Sequence, residues 1–177
     1  MDMLQAILSR RSVRLYTDDP IPEDTLHSIL CAGLAAASSK NRRPWEFVVV
    51  RDRHVLDQLC DCRVGAANLL GKCSIAIVVC ADADLVDVWV EDCGSAMTQM
   101  HLMADALGVG SCWLQVRLRQ AADGRDAQSV VRGVLGIPEK YGVMAILTLG
   151  MPASHPEPHA QETLPWHKVH HDRFSKE

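Results

Sequence analysis

Apolar residues fall at helical spacing early in the chain, where Leu26, Ile29, Leu30, Gly33, Leu34 and Ala37 recur every few positions. Pro22, Glu23 and Asp24 stand just ahead of them, a proline and two acids where a helix start favours both. A helix beginning near Pro22 is predicted, with a shorter one over residues 2–9 before it. The period then changes. Residues 46–51 enclose Phe47-Val48-Val49-Val50, whose β-branched content predicts a buried strand. Residues 53–60 return to helical spacing, with Val55, Leu56 and Leu59 inward. Residues 75–80 read Ile-Ala-Ile-Val-Val-Cys without alternation, which predicts a strand covered on both faces.

Residues 91–107 are again helical in pattern, and the stretch 93–104 holds no acidic residue, lysine or arginine. A helix apolar nearly all round belongs at the heart of a domain or in a subunit contact. Gly108 and Gly110 are expected to stop it. A strand over 111–116, a helix over 126–135 and a last strand over 143–150 complete the ordered pattern. Beyond Met151, the prolines at 152, 156, 158 and 165 and interspersed histidines predict an extended arm. The class expected is α+β (mixed α/β): a small sheet between helices, in a single domain over 1–177 whose residues 152–177 form the arm.

Composition narrows the function. A chain of 177 residues suits one domain with a substantial core, and 48% apolar residues is ordinary for a globular protein. The net charge of −4 argues against a nucleic-acid partner, which requires a broad basic face. The longest apolar run, residues 75–81, is too short to span a bilayer, and the amino terminus shows no export signal. A cytoplasmic protein with no membrane partner is expected. Seven cysteines without a CxxC pair, among them Cys31, Cys80 and Cys93 in apolar runs, read as buried reduced thiols.

Against this acidic background, Arg10, Arg11 and Arg14 fall within five residues. Guanidinium forks match phosphate oxygens and keep their charge, so an anion site is one reading and a solvated basic patch the other. Gly108-x-Gly110-x-x-Trp113 lacks the third glycine of a dinucleotide fingerprint and follows a helix where that motif follows a strand. No G-x-S-x-G segment supports a hydrolase. His167, His170 and His171 lack the carboxylates or thiolates that would complete a metal site, so no metal is expected.

Four segments together carry a resemblance. Ser9-Arg10-Arg11-Ser12-Val13-Arg14-Leu15-Tyr16 resembles the opening motif of the nitroreductase family of flavin enzymes. Ala37-Ser38-Ser39-Lys40-Asn41-Arg42-Arg43-Pro44-Trp45 is similar to that family's Pro-Ser-Ser-x-Asn-x-Gln-Pro-Trp segment. Gly108-Val109-Gly110-Ser111-Cys112-Trp113-Leu114 looks like its Gly-Leu-Gly-x-Cys-Trp loop, and Val169-His170-His171-Asp172-Arg173-Phe174 like its Val-His-x-x-x-aromatic ending.

The resemblance implies a central, mostly antiparallel sheet flanked by helices, FMN as cofactor, and a homodimer whose arm contacts the partner. Arg10 and Arg11 would serve the FMN phosphate. Ser12 and Arg14 would face the pyrimidine edge of the ring, with Arg14 as an electrostatic stabiliser of negative charge developing there. Ser38, Ser39 and Asn41 would reach flavin bound largely to the other subunit. Trp113, Leu114 and Gln115 would run beneath the ring, one backbone N–H near Leu114 or Gln115 donating to flavin N5. No side-chain nucleophile is implied. Hydride would pass from NADH or NADPH through flavin N5 to a nitroaromatic, quinone or similar small acceptor by a ping-pong mechanism. Ala37, Arg43 and Gln115 depart from the pattern, and the arm offers no lysine or arginine before Leu164-Pro165. These departures keep open a flavin-binding or regulatory protein without turnover, or a same-fold enzyme that cleaves flavin or removes halogen.

Overall fold

The computed structural model describes residues 2–175. Four strands, β1 (Trp45–Val50), β2 (Ile75–Asp82), β3 (Gly110–Gln115) and β4 (Tyr141–Gly150), form one sheet in the order β1-β2-β4-β3. Every pairing is antiparallel. Six helices surround it: α1 (Met3–Ser9), α2 (Glu23–Leu34), α3 (Arg53–Leu59), α4 (Ala67–Leu70), α5 (Trp89–Ala106) and α6 (Ala127–Leu135). Among the described residues no helix is long and apolar enough to cross a membrane.

The unbroken apolar run of β2 has the predicted cause. Ala76, Val78 and Cys80 join one core with Leu56 and Leu59 of α3 and Val130 and Val131 of α6. Ile75, Ile77, Val79 and Ala81 enter a second core with Leu26 and Ile29 of α2 and Met97 and Met100 of α5. In β4, Val79 pairs with Ala145 and Cys80 with Val143, so Met144 is one residue too many for its partner. This bulge lets Met144 and the adjacent Ala145 enter the same core while Val143 turns to the other. The Met144 carbonyl also accepts the amides of Val116 and Arg117, which turns the chain out of β3.

Several local expectations shift. The α2 stripe ends earlier than its spacing suggests: Leu34 is 55% exposed, Ala37 lies beyond the helix, and Ala36 takes the buried place. Helix α5 is buried along one face only, through Cys93, Ala96, Met97, Met100, His101 and Ala104. Its other side, with Gln99, Leu102 and Met103, joins α1 and α2 in lining an apolar cleft of about 550 Å³. Gly108 has the left-handed φ of +76° that closes a helix, whereas Gly110 is the first residue of β3. Cys31 is exposed, because its position on α2 points away from the stripe; Cys62, Cys73, Cys80, Cys93 and Cys112 are buried. The single turn α4 offers too few residues for a periodic signal.

After β4 the chain runs back along its own amino-terminal segment. The Thr17 amide donates to Met151, Ala153 to Leu15 and His159 to Leu8. Two short 3-10 turns, Gln161–Thr163 and Trp166–Lys168, follow in an exposed stretch.

Gly150 sits where this return crosses Tyr16. A Cβ there would stand 2.5 Å from Tyr16 Cγ, and that ring is fixed by its hydroxyl at 2.9 Å from both the Val13 carbonyl and Thr148 Oγ1. Gly150→Ala should lower the unfolding free energy by about 1–3 kcal/mol in denaturant titrations. Gly33→Ala should cost less, since its nearest neighbours are the Cγ and Sδ of a flexible methionine, Met100.

Candidate functional site at the edge of the sheet

Strand β3 is an edge, and what covers part of it is the arginine segment. Asp2 caps α1, accepting the Gln5 amide at 2.8 Å, and the helix ends at Ser9 so that residues 10–14 run extended. Ser12 forms a parallel bridge with Ser111, and the Val13 amide donates to the Ser111 carbonyl at 2.9 Å. Val13 is 1% exposed and anchors the segment in the core. Arg14 stays exposed, its Nη1 donating to the Ser12 carbonyl at 3.3 Å.

The three arginines keep their charge free of carboxylates. Ion pairs among the described residues join Arg51 to Glu23, Arg53 to Asp57, Arg125 to Asp123, Lys140 to Asp82 and His155 to Asp105. None engages Arg10, Arg11 or Arg14. Arg10 Nη1 meets His101 Nε2 at 3.0 Å, and Arg11 Nη1 donates to the Glu157 carbonyl of the arm. His101 Nδ1 in turn contacts Ser111 Oγ. Burial first, and the Arg10 charge second, push the His101 pKa down to about 4, with Asp105 opposing them.

Asp105, on the last turn of α5, gathers the surrounding chain. Its carboxylate accepts Ser9 Oγ at 2.7 Å, the Arg11 amide at 3.4 Å and His155 Nε2 at 2.8 Å. That last bond raises the His155 pKa above its ordinary value. The arm is thereby tied to the arginine segment through a carboxylate whose side chain is 6% exposed.

The rest of β3 supplies an open ladder. Ser111 and Gln115 direct their carbonyls away from β4, toward Val13 and toward Arg63 Nη1 at 3.1 Å respectively. In an antiparallel strand the N–H and C=O of one residue point to the same edge. The amides of Trp113 and Gln115 therefore face outward and that of Leu114 faces β4. Of the two expected donors, Leu114 and Gln115, only Gln115 has its amide on the open edge. The Leu114 side chain is buried in the core on the α3 and α6 side. Trp113 packs on the α2 and α5 side, with Nε1 donating to Gln115 Oε1 at 2.9 Å.

Residues 38–43 form a self-bonded loop. Ser38 Oγ accepts the Arg43 amide at 2.9 Å, and Asn41 Oδ1 accepts Arg43 Nε at 2.9 Å. Lys40, Asn41 and Arg43 hold φ of 51°, 54° and 48°, left-handed values that ordinary side chains resist. Asp92 Oδ1 accepts the Ser39 amide at 2.8 Å, whereas its buried Oδ2 has no partner among the described residues. Asp92 and His101 stand nine positions apart on α5, or roughly 13 Å along its axis. The loop and the arginines thus meet α5 at separate places. Neither shares the cleft of about 590 Å³ lined by Thr17, Arg53, Lys72 and Ser74. Asp92, His101, Asp105 and His155 are the residues that pattern reading passed over. The one visible signal was a histidine inside the uncharged stretch 93–104.

The nitroreductase family model matches residues 7–63 and 63–151. A protein of Archaeoglobus fulgidus, provisionally named NADH dehydrogenase/NAD(P)H nitroreductase, is 39% identical over 155 residues, covering 85% of this chain and 86% of its own. An FMN-dependent nitroreductase from Clostridium difficile superposes with a TM-score of 0.93 at 39% identity, over 97% of this chain and 100% of that one. The NADPH:FMN oxidoreductase of Vibrio harveyi, solved with NAD+, gives a TM-score of 0.81 at 25% identity, over 98% and 78% of the two chains.

The depressed His101 value has a signed consequence. The unfolded chain takes up this proton near pH 6.5 and the folded one near pH 4, so His101 removes stability as pH falls between them. His155, raised in the folded state, stabilises at low pH and loses that contribution as pH rises through its folded value. His101→Gln should shrink the loss of unfolding free energy between pH 7 and pH 5 by roughly 1–2 kcal/mol. Equal losses in the two proteins would refute the assignment.

Proposed function

Because the chain belongs to the nitroreductase family, we propose that it is an FMN-dependent oxidoreductase that moves two electrons from NADH or NADPH to a nitroaromatic, quinone or similar small acceptor. The observation that carries this reading is a charge held ready. Arg10 is tied to the covered end of β3 through His101 and Ser111, held by a neutral imidazole and paired with no carboxylate among the described residues. Such a guanidinium suits a phosphate ester, and the outward amides of β3 suit a flat heterocycle with acceptor atoms along one edge.

Bound FMN would supply the two-electron chemistry. The chain's own contribution is binding and electrostatics. Arg10 and Arg11 hold the phosphate, and Ser12 with Arg14 faces the pyrimidine edge. There the exposed Arg14 stabilises negative charge as it develops. Gln115 offers its backbone amide, a donor with no titration of its own. Donor and acceptor occupy the same open slot in turn, which is the structural meaning of a ping-pong scheme.

The assembly proposed is a homodimer. Ser39 meets α5 at Asp92, well away from the arginines of its own chain, and Ser38 and Asn41 share its loop, which favours service to the site of a second copy. Exposed Trp166, Val169 and Phe174 on the arm, and Met3, Leu4 and Ile7 on α1, are apolar surface that such a copy would cover.

Purified protein should carry one FMN per chain, with its visible absorption bleached by NADH or NADPH and restored by a quinone. Colourless protein that refuses added FMN would overturn the reading. Arg14→Ala should slow reduction by NAD(P)H or weaken FMN retention by about tenfold or more; unchanged kinetics and retention would remove Arg14 from the scheme.

A further inference from the structure

Among the described residues Arg10 has a single side-chain hydrogen-bond partner, and it is an unusual one for an arginine at an anion site. Guanidinium has donors only, so the nitrogen 3.0 Å from Arg10 Nη1, His101 Nε2, must present its lone pair. The proton of the neutral ring then resides on Nδ1 and is donated to Ser111 Oγ. Ser111 is also the residue whose backbone carbonyl takes the Val13 amide. One side chain on α5 therefore ties the arginine side chain to the strand that already holds the arginine backbone segment.

We propose that His101 is a positioning residue for Arg10, aiming its guanidinium at the bound phosphate while leaving the full positive charge available. This rests on the reading of Arg10 as a phosphate ligand. The physical point is the identity of the acceptor. A carboxylate at this place would orient Arg10 as firmly, and would compete with the phosphate for the same charge and the same donors. A neutral imidazole orients by one hydrogen bond and neutralises nothing. A carboxylate does lie nearby, on the next turn of the same helix. Asp105 is engaged by Ser9 Oγ, the Arg11 amide and His155 Nε2, and makes neither a hydrogen bond nor an ion pair with Arg10. The charged groups that bear on the imidazole are Arg10 from the amino-terminal segment and Asp105 from α5. Its remaining contact, Ser111 from β3, is uncharged.

The test separates phosphate from ring. Dissociation constants for FMN and for riboflavin, which has the same ring and no phosphate, are measured by flavin fluorescence on the full chain and its variants. His101→Leu should weaken FMN about tenfold, the scale of one hydrogen bond to a charged group, and riboflavin by less than about twofold. His101→Gln, which keeps an acceptor near the Nε2 position, should recover FMN affinity to within about threefold of the parent. Equal losses for both flavins, or no loss for either, would reduce His101 to packing and overturn the proposal. So would failure of His101→Gln to recover FMN selectively. Nitrogen NMR of the parent protein gives a check independent of any variant's folding. The Nδ1–H tautomer is expected, and the Nε2–H tautomer would overturn the proposal. A parent protein that binds neither flavin would instead overturn the functional reading beneath it.

Discussion

The hydrogen bond from the Val13 amide to the Ser111 carbonyl decides how the arginine segment sits on the sheet. A strand at the edge of a sheet has a row of unused backbone groups, and an uncovered edge invites pairing with another chain. Here the amino-terminal segment covers β3 for one bridge and then turns away at Tyr16, leaving the amides of Trp113 and Gln115 open while Arg63 takes the Gln115 carbonyl. The same short contact sets the arginine register. With Val13 buried, its neighbours Ser12 and Arg14 must project to the other side of an extended segment. Charge and open edge are adjacent because one valine is inside.

Helix α5 is the second rigid reference. Its buried face carries methionines and alanines through the middle and ionisable residues toward its ends, Asp92 near the first turn and His101 and Asp105 near the last. Each ionisable group has been given local work: Asp92 grips the Ser39 amide, His101 grips Arg10, and Asp105 collects three donors from two other segments. A loop with left-handed backbone at non-glycine residues and an arm with almost no core of its own are held in place by these bonds, since apolar burial supplies little there.

Much of the architecture was legible in the sequence because burial writes itself at a fixed period. The strand over 75–80 and the helices over 53–60 and 126–135 have burial patterns that match their spacing closely. The sidedness of α5 was not legible, because alanine, methionine, glycine and threonine are tolerated equally by a core and by a half-covered cleft. The antiparallel character of the sheet came from resemblance, its strand order was not legible, and the bulge at Met144 has no local signature, since any apolar residue serves. At the candidate site, Arg10 and the loop that contains Ser111 stood out separately. Their connection through His101 did not, because it joins positions 91 residues apart and leaves no trace in the periodicity of either. At 38–43 the bonding is short-range, from the Arg43 amide to Ser38 Oγ and from Arg43 Nε to Asn41 Oδ1, as suits serine and asparagine in a turn.

The return of the arm along residues 8–17 has a consequence for how the protein is made. The segment bearing the arginines leaves the ribosome long before the strand, the helix and the arm that hold it. Arg10 awaits residue 101, Val13 awaits residue 111, and Leu8, Leu15 and Thr17 await residues 151–159. During synthesis the sheet and its two cores can assemble domain-fashion from β1 to β4, while the amino-terminal strip stays undocked. The last closure joins sequence-distant segments through separate backbone hydrogen bonds, the slowest class of contact to form because so much chain must be brought together first. The part of the molecule translated early is therefore the part finished late, and the arginine segment is not in order until the residues that hold it, 101 to 159, have emerged.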